Sequence, residues 1–111
     1  EAAQQHATHM ASTGCFSHDD TGPAPCDDGT PCTRIAAAGY RWSAVGENLS
    51  FGQRDATEAV LGWLASPPHC ANLMEPGFVH FGSSVALDPD GIAYFAQCFG
   101  APGSATANEC R

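Results

Sequence analysis

The sequence predicts an α+β fold, a three-layer α-β-α sandwich with a central antiparallel sheet. A hairpin pattern carries this first: "FVHFGSSVAL" and "IAYFAQCFG" flank "DPDG", a turn with Pro second and Gly fourth. Apolar residues then fall on both strand faces, with Phe81, Val85 and Leu87 on one parity and Ile92, Tyr94 and Cys98 on the other. A sheet apolar on both faces has to be covered on both sides. Helical patterns ahead of the hairpin supply the covering layers.

The elements follow in chain order. "EAAQQHATHMAST" is Ala-rich and meets no breaker until Gly14, so it reads as a helix. His6 and Met10 share one face of it, and His9 falls on the surface. The pattern starts without a cap, so further residues are expected upstream. Residues 17–32, "SHDDTGPAPCDDGTPC", are dense in Asp, Gly and Pro and read as a solvated loop. "TPCTRIAAAGY" is a short helix with Thr30 as cap, Pro31 at its first position and Gly39 at its end. "RWSAVGENLSFG" is extended. "DATEAVLGWLAS" is the clearest helix, capped by Asp55 with Glu58 completing a capping-box-like pair. Val60, Leu61, Trp63 and Leu64 are its expected buried stripe. Ser66 followed by Pro67 starts another short helix through "PPHCANLM".

At 111 residues the chain is a single domain, 1–111, with a small core. It has four Arg and no Lys against twelve acids, a net charge of −8. That balance repels phosphate backbones and anionic membranes, which excludes nucleic acid as a partner. No apolar run approaches the about 18 residues of a membrane span. There is no P-loop, dinucleotide fingerprint or Gly-x-Ser-x-Gly elbow. The acids between Asp19 and Asp28 lack the alternation of a calcium loop.

Six cysteines without metal-ligand spacing point to three disulfides and an oxidising, extracellular compartment. Many connectivities are allowed. The short loop "CDDGTPC" favours Cys26–Cys32, a tail pinned to the domain favours Cys98–Cys110, and Cys15–Cys70 remains.

In order, "HATHMA", "CFSHDD", "IAAAGYRWSAVGENLSFG", "VLGWLASPPHCANLMEPGFVHFG" and "YFAQCFG" resemble the bacterial branch of the CAP superfamily. This is the SCP-like domain of cysteine-rich secretory proteins, insect venom antigens and plant pathogenesis-related proteins. The resemblance spans about residues 2–100. It implies the same α-β-α sandwich, secretion, and a cleft of two histidines with one or two acids. The family's first cleft histidine matches His18, its glutamate Glu47 and its second histidine His69. The acid that eukaryotic members carry on the helix is Ser66 here. One helix that usually precedes the first one is missing.

Each residue also has a plainer reading. His69 sits near the start of a proline-led helix, where the dipole disfavours an imidazolium and keeps the ring a neutral ligand; it can equally be a hydrogen-bonded helix-start residue. His18 alone reads as a loop histidine. Glu47 lies between Gly46 and Asn48 in an apolar extended segment, where an unpaired carboxylate is costly; its plainer role is to accept structural hydrogen bonds. His80 lies in a strand without a functional assignment.

Two functions follow. One is a secreted, monomeric binding module whose cleft, His18, Glu47 and His69, holds a divalent metal such as zinc through the two imidazoles, or a small-molecule, lipid or peptide ligand. The other is a metal-dependent, peptidase-like hydrolase with Glu47 as catalytic base. Binding is preferred, because the acid set is incomplete and no nucleophile is present; catalytic zinc also usually has three protein ligands, and two are named here. A third possibility is an inert disulfide-stapled scaffold.

Overall fold

The computed structural model describes residues 1–110. They form four helices, α1 (Ala2–Thr13), α2 (Pro31–Ala37), α3 (Ala56–Leu64) and α4 (Pro67–Met74), and three strands, β1 (Trp42–Phe51), β2 (His80–Leu87) and β3 (Ala93–Pro102). The strands make one antiparallel sheet in the order β1-β3-β2, so β1 is an edge.

The helix boundaries follow their local chemistry. Gly14 ends α1 at φ 77°, and its N–H donates to the Met10 carbonyl. Thr30 caps α2 in a reciprocal pair with Thr33, with Pro31 behind it. Asp55 accepts the Glu58 N–H at the start of α3. Ser66 departs from expectation: it starts α4 without a side-chain cap bond, because its hydroxyl bonds the ring of His69.

Register sets the two faces. Leu49 pairs with Ala96 and Glu47 with Cys98, and these residues face α1 and α2. There Ala2, Ala3, Ala7, Met10 and Ile35 close a core on Leu49, Ala96 and Cys98. Alternation turns Gly46, Asn48 and Phe95 to the other face. On that side Ala59 and Trp63 of α3 pack on Phe95, and the Trp63 indole N–H donates to the Leu49 carbonyl at 2.9 Å. The expected stripe of α3 is therefore narrower: Ala59 and Trp63 are buried, whereas Leu61 and Leu64 are exposed. Cover over the second face also stops short of β2, leaving Phe81, Val85 and Leu87 exposed.

The expected disulfides are replaced. The bonds are Cys15–Cys26 and Cys32–Cys110, and Cys70 and Cys98 are free thiols. Paired backbone bonds between Asp20 and Gly29, both 2.8 Å, fold residues 15–29 back on themselves. That closure brings Cys15 to Cys26 and displaces both Cys26–Cys32 and Cys15–Cys70. The tail reaches α2, not β3, so Cys110 meets Cys32, while Cys98 is sealed under α1. Burial first, then the Glu47 charge, pushes the Cys98 thiol up to about 12.

Candidate functional site

The site is built around one buried arginine. Arg34 lies on α2, 1 % exposed. Its Nη2 donates to Glu47 Oε1 at 3.1 Å, to Oε2 at 2.9 Å and to the His18 carbonyl at 2.8 Å. Its Nη1 donates to Asp28 Oδ1 at 3.3 Å and to the Gly29 carbonyl at 2.7 Å. The guanidinium thus ties the loop, α2 and the edge strand together, and it compensates charges that could not be buried alone.

Glu47 faces this arginine from β1. Its Oε1 also accepts from His18 Nδ1 at 2.8 Å. A carboxylate held by a guanidinium can only accept, so Nδ1 carries the ring proton and Nε2 keeps its lone pair. The His18 side chain is 52 % exposed, whereas that of Glu47 is 1 % exposed. Glu47 is therefore an orienting group, with both oxygens engaged, and His18 is the group presented outward. The Glu47 hydrogen bond is the main cause that raises the His18 pKa above its ordinary value; burial opposes it.

The "GENL" sequence is explained position by position. At Gly46 a Cβ would lie 2.8 Å from the Phe78 ring and 3.0 Å from Asn72 Oδ1, so only glycine fits without displacement. Glu47 turns to Arg34 and His18. Asn48, fully buried, donates to the His69 carbonyl at 3.2 Å and accepts from Asn72 Nδ2 at 3.0 Å. Leu49 enters the core and offers its carbonyl to Trp63.

A cleft of about 340 Å³ is lined by His18, Asp19, Thr30, Pro31, Cys32, Val45, Gly46 and Glu47. His18 and Glu47 are brought together in it. His69 sits on α4, on the other face of β1, and reaches the strand through its backbone carbonyl. Its Nδ1 lies 2.8 Å from Ser66 Oγ. His80 has a local partner, the Tyr40 hydroxyl, at 2.9 Å from its Nδ1.

Tested against a metal, His18 fits as one ligand: one nitrogen is held by a carboxylate and the other is open, as in carboxylate–histidine–metal arrangements. His69, expected as the second ligand, does not line this cleft, and its Nδ1 is engaged by Ser66 Oγ. Glu47 does not fit as a third ligand, because both its oxygens are taken.

Arg34 is the member that sequence reasoning missed. Its signal was a lone cation inside an otherwise apolar helix of a strongly acidic chain, the natural counter-ion for a buried Glu47. The "solvated loop" reading also fails for two acids. Asp20 is 3 % exposed, and Asp28 meets His6 Nδ1 at 2.8 Å. His9 is correspondingly turned inward against Asp20, not outward to solvent.

These features define a class: an α-β-α domain with a disulfide-closed loop over an edge strand that carries a buried glutamate. The family model described as the cysteine-rich secretory protein family, CAP, matches residues 1–99, and the chain belongs to that family. A stretch of 54 residues is 33 % identical to the uncharacterized protein YkwD of Bacillus subtilis (strain 168), covering 49 % of this chain and 21 % of that protein. The crystal structure of an extracellular protein containing an SCP domain from Bacillus anthracis str. Ames superposes with TM-score 0.73 at 28 % identity, over 89 % of this chain and 30 % of that one. An outer surface protein from Borrelia burgdorferi shares the fold at TM-score 0.78 and 24 % identity, over 92 % of this chain and 71 % of that one. The chain thus spans about a fifth of the Bacillus subtilis relative and under a third of the Bacillus anthracis protein.

Proposed function

We propose that the chain is a secreted CAP-type binding module. Its ligand, a small molecule, lipid or peptide head group, or a divalent cation such as zinc, is held over the edge of β1 by His18 from one side and His69 from the other. The observation that carries this reading is the His18–Glu47–Arg34 arrangement, which points one imidazole nitrogen out of the cleft and fixes its tautomer. When bound, a cation would supply a Lewis-acid contact to the ligand. Secretion is supported by the two disulfides and by the descriptions of the two structural neighbours as extracellular and outer surface proteins. Among the described residues, no helix is long and apolar enough to cross a membrane.

Glu47 argues against the hydrolase alternative. A general base needs a free lone pair aimed at the attacking water, and this carboxylate is buried and doubly engaged. The test is residue-specific NMR of the His18 and His69 rings during titration with Zn²⁺ and with small polar ligands. Saturable shifts of the His18 ring are expected in the wild type, and any accompanying shift of the His69 ring should be lost in His18→Ala. Rings that stay still through both titrations would discard the binding cleft.

A further inference from the structure

A second cluster lies behind the cleft, between α1 and the disulfide-closed loop. His6 Nδ1 is 2.8 Å from Asp28 Oδ2. His9 Nε2 is 3.0 Å from Asp20 Oδ2 and 3.7 Å from Asp28 Oδ1. We propose that His6, Asp20 and Asp28, with His9 at their edge, form a site for a zinc-like divalent cation, separate from the His18 cleft.

The contacts are short enough for ion pairs, yet one of them is not satisfied by a hydrogen bond. His9 Nε2 and Asp20 Oδ2 are close, yet neither makes a hydrogen bond, and both atoms are buried without another partner. The Asp20 side chain is 2 % exposed. An unpartnered carboxylate oxygen at such depth is costly unless something besides a hydrogen bond satisfies it. A shared cation does so, because lone pairs then converge on a point beside the N–O line. Donor atoms held by one tetrahedral ion at about 2.0–2.2 Å lie roughly 3.3–3.5 Å apart. The two His9 separations, 3.0 and 3.7 Å, lie on either side of that value, whereas the 2.8 Å His6–Asp28 contact is at hydrogen-bond distance. One ligand atom from each of His6, Asp20 and Asp28 falls within a common 4.8 Å; His9 is outside that mutual group and joins it through Asp20 and Asp28.

Outer contacts point the same way. His6 Nε2 donates to the Ser17 carbonyl at 2.8 Å, so Nδ1 faces the Asp28 carboxylate as the ring's second polar atom. Two acceptors 2.8 Å apart repel unless a proton or a cation lies between them. A histidine ligand whose second nitrogen donates to a backbone carbonyl is the usual orienting contact at a metal. Asp28 is itself bonded by Arg34. The ligands are spaced i and i+3 on α1, and the Cys15–Cys26 bond and the Asp20–Gly29 bridge preset the loop that bears both carboxylates. Two imidazoles and two carboxylates suit zinc and leave its charge neutralised. An ion here would pin residues 17–28, and hence His18, onto α1.

The experiment is calorimetric titration of chelator-treated protein with Zn²⁺, for wild type, His9→Gln, Asp20→Asn and His18→Ala. Even an outer-contact loss costs about 10–100-fold in metal affinity. Removing His9 or Asp20 is therefore expected to weaken one zinc equivalent at least about 100-fold, while His18→Ala retains it. Zinc should raise the unfolding midpoint of wild type and His18→Ala but not of the other two. Zinc uptake in His9→Gln and Asp20→Asn equal to wild type overturns the site, as does uptake lost only in His18→Ala, or none at all. Should either variant fail to fold without metal, anomalous diffraction from zinc-soaked wild-type crystals decides. A peak between His9 Nε2 and Asp20 Oδ2 supports the site, and its absence there rejects it.

Discussion

Replacing Arg34 by methionine tests the buried network directly. The substitution keeps most of the side-chain volume and removes the charge. Glu47, 1 % exposed in its side chain, and Asp28, 10 % exposed, lose their shared cation. The Gly29 and His18 carbonyls lose a donor. Breaking a buried ion pair by removing one partner costs about 3–5 kcal/mol. With two carboxylates and two carbonyls affected, the upper part of that range, about 4–5 kcal/mol, is expected. Domains of this kind have about 5–15 kcal/mol in all, so the variant approaches unfolding at ambient temperature. At roughly 4 °C per kcal/mol the midpoint falls by about 15–20 °C. The assay is urea unfolding followed by tryptophan fluorescence, with disulfides intact and chelator present. The double variant Arg34→Met/Glu47→Gln removes the orphaned charge as well and is expected to be more stable than the single one. A single variant within about 1 kcal/mol of wild type would refute the view that these carboxylates depend on Arg34.

Three further outcomes are expected. The Glu47→Gln ring of His18 should titrate closer to the ordinary histidine value, followed by NMR; an unchanged titration would remove Glu47 as the cause of the raised value. Because the folded-state value is raised, the His18–Glu47 pair stabilises fully below the ordinary histidine pKa and fades as pH rises through the raised one, so Glu47→Gln should flatten the stability profile there. Opening Cys32–Cys110, separated by 78 residues, should cost about 4–5 kcal/mol, and opening Cys15–Cys26, separated by 11, about 3 kcal/mol, by loop entropy; equal losses in denaturant unfolding would count against the loop-entropy account. Thiol labelling of the native protein should modify Cys70 alone, with Cys98 reacting only after denaturation, since its thiol lies under α1 and is pushed up to about 12.

The elements were legible in the sequence because their signals are local. Thr30 with Pro31, Asp55 with Glu58, and "DPDG" each act within four residues, and each marks an observed boundary. The approach of His18 to Glu47 was legible only through family resemblance, since nothing local links a loop histidine to a strand glutamate. The polar wiring was not legible. His9 and Asp20 look like surface residues in any local pattern, and only the docking of the loop on α1 buries them.

Charge, cysteine content, caps and the two-faced hairpin decided from the sequence that this chain is an acidic, disulfide-bonded α-β-α domain. Which cysteines pair, which acids lose their water, and that one arginine serves both Asp28 and Glu47 were decided by tertiary structure. The physical reason is range: caps and turns are settled between near neighbours, whereas the dielectric around a charge and the partner of a thiol depend on segments that meet only once the layers close.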